Sequence, residues 1–162
     1  MPFEFHMNFN PRVVSTLTGA QQIGMPIDDV TLQVARHFLN GTAAGQIDVA
    51  YARRRSVASG ATDTIDINGV TNDAFNNNIA MLTLCGIILI NEDTGGIANT
   101  TNLTLGGGAN AIANILGNTT ATMVLRPGGI FMNLNATSAS GVATVTPGTA
   151  DIITITLSLI HI

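Results

Sequence analysis

Three consecutive arginines, Arg53, Arg54 and Arg55, are the most concentrated group of charged side chains in the sequence. They follow an alternating apolar segment at 47–51, so in an extended chain Arg53 and Arg55 would share one face. A guanidinium pairs with a carboxylate through two hydrogen bonds and is common at protein interfaces. Two interpretations stay open: the arginines contact an acidic partner protein, or they protect an exposed strand from aggregation.

A second polar group contains Asp63, Asp66 and Asp73, which are close in sequence to Asn68. Oxygen ligands of this kind suit calcium, but the segment lacks the spacing and the final glutamate of an EF-hand loop. The Asn68-Gly69 pair is typical of tight hairpin turns, and aspartates stabilise turns by accepting hydrogen bonds from nearby backbone. We therefore predict a polar hairpin here, with a calcium site as the less favoured alternative.

Several residue types that carry chemistry are scarce. The chain has no lysine, which excludes a P-loop lysine and a Schiff base. It has one cysteine and three well-separated histidines, His6, His37 and His161, so it has no local zinc motif. No Gly-x-Ser-x-Gly segment marks a nucleophilic serine. We expect a protein that is not an enzyme and that has no cofactor and no metal.

Charge is sparse and acidic. Charged residues make up 10% of the chain and the formal net charge is −4, which argues against binding to the phosphates of nucleic acid. The longest apolar stretch, 80–90, is about half the ~20 residues that a membrane-spanning helix needs, and it predicts a buried strand instead. The first residues lack the basic and apolar regions of an export signal. Neither nucleic acid nor a membrane is therefore an expected partner.

The few charges are unevenly distributed along the chain. Residues 1–56 carry five arginines and four acidic residues, a balance of +1, whereas residues 57–162 carry one arginine and six acidic residues, a balance of −5. Such asymmetry favours contact between the front of one copy and the body of another, and pairing within one subunit explains it equally well.

The N-terminal segment would be apolar on one face if it were extended. Phe3, Phe5, Met7 and Phe9 alternate with other residues, and Pro11 ends the segment. Two interpretations are open. The segment is the first strand of the chain's own sheet, or it is an arm that adds to a neighbouring subunit and buries its aromatic side chains there.

Residues 28–40 have the features of a short helix. They begin with acidic residues and repeat apolar side chains at Val30, Val34 and Phe38, and Gly41 follows as a common stop. We therefore predict a helix over about 28–40.

From residue 47 onward, segments of strand length alternate with turn sequences. The turn sequences are at 66–69, 92–96, 126–129 and 147–148. Several of the segments between them show apolar alternation, at Ala121, Met123 and Leu125, then at Ile130, Met132 and Leu134, and the last segment places these side chains on one face: Ile153, Ile155, Leu157 and Leu159. The last segment, from Asp151, is predicted to be a pairing edge of its sheet.

These elements together predict a mostly β fold. The spacing suits an antiparallel β-sandwich or jelly roll with one short helix near the N-terminus and an extended N-terminal arm. The arm and first strand would occupy 1–27, and the sandwich domain, with the helix at about 28–40, would occupy 28–162.

Seven turn-rich segments occur in an order that resembles one known family. They are GTAAGQIDVAY at 41–51, RRSVASGAT at 54–62, IDING at 65–69, DAF at 73–75, LTLGG at 103–107, VLRPGG at 124–129 and TPGTAD at 146–151. The succession resembles the capsid cement, or decoration, proteins of tailed bacteriophages, and it covers roughly residues 40–157. The resemblance implies a virion structural protein on the outer capsid surface that bridges subunits of the major capsid protein. It implies no catalytic residues.

We accordingly expect a capsid cement protein that works as a homo-oligomer, with a trimer favoured over a dimer. The residues expected to contact the capsid or a sister subunit are Phe3, Phe5, Phe9, Arg53, Arg54 and Arg55. One alternative is a phage tail or fibre module that binds a host surface. Another is a β-sandwich enzyme that processes glycans, which would need a pair of carboxylates across a cleft.

Overall fold

The computed structural model describes residues 5–9, 12–16, 27–31, 34–72, 76–93, 95–135 and 140–159. Within these residues the chain forms fifteen strands and one short helix. The strands are β1 (Phe5–Phe9), β2 (Arg12–Thr16), β3 (Ile27–Thr31), β4 (Val34–Asn40), β5 (Gln46–Ile47), β6 (Thr62–Asp66), β7 (Asn68–Asn72), β8 (Asn78–Ala80), β9 (Thr83–Leu84), β10 (Gly86–Ile90), β11 (Leu103–Gly106), β12 (Thr122–Leu125), β13 (Ile130–Leu134), β14 (Ala143–Thr144) and β15 (Ile152–Leu157). The helix is α1 (Ala113–Leu116). The prediction of a mostly β chain with antiparallel sheets is confirmed.

Four antiparallel strands in the order β12–β11–β15–β6 form what we call the central sheet. Leu105 of β11 lies opposite Met123 on one side and Ile155 on the other, and only 1% of its surface is exposed. Alternation places such apolar side chains on one face, which is buried. The core cluster consists of Ile65, Ile67, Leu84, Leu103, Leu105, Ile112, Leu125, Ala143, Val145, Ile153 and Ile155.

The remaining sheets are small. Strands β10 and β13 pair with each other to form what we call the ribbon. Strands β2 and β3, β7 and β8, and β9 and β14 form further antiparallel pairs. Strand β4 pairs with β1 in antiparallel and with β5 in parallel orientation.

The helix predicted at 28–40 is wrong, because this part of the chain forms β3 and β4. β-Branched residues such as Val30, Thr31 and Val34 favour strands, and pairing with other strands overrides a weak local preference for helix. β4 pairs with β1 of the same chain, from Phe5 opposite Phe38 to Phe9 opposite Val34. Phe3 lies outside the described residues, as do the side chains of Phe5 and Phe9.

The predicted Asn-Gly hairpin is also wrong, since β6 pairs with β15 and β7 pairs with β8. The chain instead turns a corner between two sheets at Ile67, which is 2% exposed. The Ile67 N–H donates to the carbonyl of Asp151, and its own carbonyl accepts from the N–H of Met81, both at 3.0 Å. The Asx turn is present, because Asp66 Oδ1 accepts a hydrogen bond from the Asn68 N–H at 2.9 Å.

The turn that joins β12 to β13 connects the central sheet to the ribbon, and Asn91 holds it. The backbone N–H of Gly128 donates to the Asn91 carbonyl at 2.9 Å, and the Asn91 N–H donates to the carbonyl of Gly129 at 3.0 Å. The fully buried Asn91 side chain donates to the carbonyls of Thr101 at 3.0 Å and Leu125 at 2.9 Å. Turns also occur where predicted at 92–96 and 147–148.

Two predictions about strand environment are wrong. The C-terminal strand β15 is not an edge, because it lies between β11 and β6 in the central sheet. The apolar stretch 80–90 is not one buried strand but is divided among β8, β9 and β10, and it leaves Leu82 and Ile88 exposed. Gly86 lies so close to Leu134 that an added Cβ would clash with a methyl group of that side chain.

Candidate functional site

Arg55 is held by a carboxylate and a phenol rather than standing free in solvent. Its Nε and one terminal nitrogen bind the two carboxylate oxygens of Asp63, the latter at 2.8 Å. Its other terminal nitrogen donates to the Tyr51 hydroxyl at 2.9 Å. This two-pronged arrangement is the geometry in which a guanidinium and a carboxylate interact most strongly. We call Arg55, Asp63 and Tyr51 the arginine clamp.

A tight turn brings the clamp residues together. The N–H of Ala61 donates to the carbonyl of Ala58 at 2.9 Å, so the chain folds back between Arg55 and Asp63. The sequence analysis did not foresee this pair. The Ser59-Gly60 dipeptide, a common turn signal, would have placed the two residues opposite each other.

The clamp alters the protonation of its members. The hydrogen bond from Arg55 holds the pKa of the Asp63 carboxyl below its ordinary value, and partial burial opposes this effect. The same hydrogen bond raises the pKa of the Arg55 guanidinium. Both groups are therefore charged at neutral pH. About 31% of the Arg55 side chain and 23% of the Asp63 side chain remain exposed, so water screens part of the attraction.

All three predicted arginines line one open cleft of about 380 Å³. Its other lining residues are Ser56, Val57, Ala58, Ala61, Thr62 and Asp63. The lining contains three arginines and one aspartate, so its net charge is positive. Arg54 donates to the backbone carbonyl of Asp93 at 3.3 Å. Arg53 is exposed and forms no ion pair with any residue that the structure describes.

The ribbon carries an exposed apolar surface that we call the ribbon face. Ile88 lies opposite Met132 and Ile90 lies opposite Ile130. Between 39% and 62% of each of these side chains is exposed. Residues two apart on paired strands share a face, so the four side chains form one continuous patch. Neither strand contains an ionisable residue.

The opposite side of the ribbon packs against the core through Ile87, Leu89 and Phe131. Ile130 and Met132, which alternate in the sequence, therefore lie on the exposed side of the ribbon. The segment is apolar at three consecutive positions, and its largest side chain, Phe131, takes the core side.

The residues considered for calcium have other partners. Asp63 binds Arg55, and Asp66 accepts from the backbone of Asn68. Asp73 lies outside the described residues. Within the part of the chain that the structure describes, no three side chains of His, Cys, Asp or Glu come together as a metal site.

No helix among the described residues has the length and apolar character to cross a bilayer. The thiol of Cys85 is partly buried. Desolvation raises the pKa of the Cys85 thiol, which keeps it neutral. No protein-family model, curated protein or solved structure matches the chain.

Proposed function

We propose that this protein is a bacteriophage capsid cement, or decoration, protein that works as a homo-oligomer, with a trimer favoured over a dimer. In this role it binds the outer surface of the capsid and bridges neighbouring subunits of the major capsid protein. The observation that carries the proposal is the ribbon face, supported by the order of turn motifs along the chain.

The ribbon face argues for a role in an assembly. A sheet that is apolar on one face normally buries it against another layer, and the ribbon is apolar on both faces. Its inner face packs on the core of this chain, while Ile88, Ile90, Ile130 and Met132 are exposed. Continuous exposed apolar surface of this kind marks an interaction site on a soluble protein.

The proposed architecture is an antiparallel β-sandwich or jelly roll. The support is that the core cluster draws residues from the central sheet, and Ile87, Leu89 and Phe131 of the ribbon pack against it. Two packed sheets would give a rigid body, and a rigid body transmits force between the capsid subunits that it bridges. Many individually weak contacts would then act together, because bound copies have a high effective concentration for further contacts.

Saturable binding to expanded capsids of the phage that encodes the protein tests the proposal. We expect binding in a fixed ratio to the major capsid protein. The variant Ile130→Asp should bind about tenfold more weakly, because burying the new carboxylate in an apolar interface is costly. The matched control is Val124→Asp, which changes an equally exposed apolar residue on β12 of the central sheet.

Deleting residues 1–11 is a less specific test, because it also removes β1 from its pairing with β4. Absence of capsid binding by the folded wild-type protein would overturn the proposal. Binding to host-surface glycans instead would favour a tail or fibre module. Equal binding by Ile130→Asp and the wild type would exclude the ribbon face as the contact.

A further inference from the structure

We propose that the cleft beside the arginine clamp binds an extended acidic segment of a partner protein, with Arg53 as the residue that contacts its carboxylates. This site is separate from the ribbon face, and the argument for it does not depend on the capsid role.

The three arginines have different roles in the structure. Arg55 already has its carboxylate, because Asp63 occupies two of its nitrogens and Tyr51 a third. Arg55 is therefore a positioning residue that fixes this wall of the cleft. Arg53 lines the same cleft, is exposed, and forms no ion pair with any described residue. It remains available to a carboxylate from outside the chain.

The backbone beside Arg53 is also available. Residues 51–58 are in neither helix nor strand. Arg53, Ser56 and Val57 make no backbone hydrogen bond with any residue that the structure describes. An extended peptide binds an unpaired backbone of this kind through main-chain hydrogen bonds, while its side chains enter neighbouring pockets.

The lining favours a peptide over a phosphate-bearing polymer. Val57, Ala58 and Ala61 give the cleft apolar wall beside its arginines, which suits the methylene groups of glutamate or aspartate side chains. A nucleic acid needs several cations along its backbone, whereas this chain has a net charge of −4. Within the same lining, Arg55 already binds a carboxylate, that of Asp63, through two hydrogen bonds.

The test is titration of the isotope-labelled full-length protein with a hexaglutamate peptide, followed by NMR chemical shifts. We expect shifts confined to residues around 53–63 and affinity that falls as salt is added. Arg53→Gln should weaken binding about tenfold, as expected for loss of one charge-assisted hydrogen bond. The matched control, Arg126→Gln, removes the same charge from an exposed turn residue that does not line the cleft, and it should change affinity less than twofold.

Three results would overturn the inference. These are the absence of shifts with hexaglutamate, equal weakening by Arg53→Gln and Arg126→Gln, and tighter binding of a single-stranded oligonucleotide than of the peptide at the same residues. Because the titration contains no capsid, its failure leaves the capsid-binding test unaffected. Conversely, capsid binding that is lost in Ile130→Asp but kept in Arg53→Gln would leave the cleft as a separate site for an acidic peptide.

Discussion

The central sheet and the ribbon differ in what they present on the side away from the core. On the central sheet, Thr104 of β11 lies opposite Thr156 of β15, and the hydroxyl oxygens of Thr156 and Thr62 are 2.9 Å apart. On the ribbon, the equivalent positions are Ile88, Ile90, Ile130 and Met132. The outer face of the central sheet therefore carries threonine hydroxyls beside the exposed Val124, whereas the outer face of the ribbon carries only apolar groups.

This difference indicates that the ribbon face is a local feature of the ribbon and does not simply follow from the apolar composition of the whole chain. Threonine has the β-branched shape that a strand favours, and its hydroxyl is well solvated. A chain rich in threonine could have used it on the ribbon as well. The ribbon's outer face instead has the apolar composition typical of an interface, which is why we propose that it contacts another protein.

We expect the largest loss of unfolding free energy on β11, where two neighbouring residues lie on opposite faces of the central sheet. Leu105→Ala should reduce the free energy of unfolding by about 2–5 kcal/mol, because Leu105 is almost fully buried and its removal leaves a cavity. Thr104→Ala, on the outer face, should cost less than about 1 kcal/mol. Urea denaturation of both variants measures the two values. Equal losses would mean that the central sheet does not have one buried and one solvated face.

The next largest loss of stability is expected at Asn91, which holds the turn between the central sheet and the ribbon. Asn91→Ala should cost about 1–3 kcal/mol in total, because it leaves one buried and one partly buried backbone carbonyl without their donor. The carbonyls affected are those of Thr101 and Leu125. Asn99→Ala is the matched comparison, because it removes a donor to Asn91 Oδ1 and leaves both carbonyls satisfied. Chemical denaturation should therefore rank Asn91→Ala below Asn99→Ala in stability.

Sequence patterns predicted the class of fold but not every element. Alternation placed Ile153 and Ile155 on one face of a strand, and both are buried in the core of the structure. The helix was mispredicted because Val30, Val34 and Phe38 are four residues apart, and such spacing puts side chains on one face of a strand as well as of a helix. Only pairing with β1 and β2 decides between the two, and that pairing is a tertiary property.

The candidate sites were predictable to different degrees. The arginine triplet was evident from the sequence, and the turn at Ser59-Gly60 could have identified Asp63 as the partner of Arg55. The ribbon face could not be predicted. Both sides of β10 are apolar, so alternation gives no signal, and the packing of Phe131 determines which side is covered.

A smaller effect should separate the two sides of the ribbon itself. Leu89→Ala should cost about 1–2 kcal/mol, because Leu89 packs against the core, whereas Ile88→Ala should cost about 0.5 kcal/mol or less. Thermal unfolding measures both. Ile88→Ala should nevertheless weaken binding to capsids, because Ile88 belongs to the proposed contact surface. A larger loss of stability for Ile88→Ala would mean that the exposed side of the ribbon is the structural one.

The smallest effect is expected at the arginine clamp, whose Asp63 lies on β6, an edge strand of the central sheet. Because Arg55 lowers the pKa of Asp63 in the folded protein, the clamp stabilises the protein above the unfolded carboxyl pKa of about 3.9. That stabilisation is lost as pH falls through the lower folded value. Asp63→Asn should therefore cost about 1 kcal/mol or less at pH 7, and the difference from wild type should shrink at acidic pH. Unfolding free energies measured from pH 7 to pH 2.5 test this. A difference that stays constant with pH would mean that the carboxyl acts through packing and not through its charge.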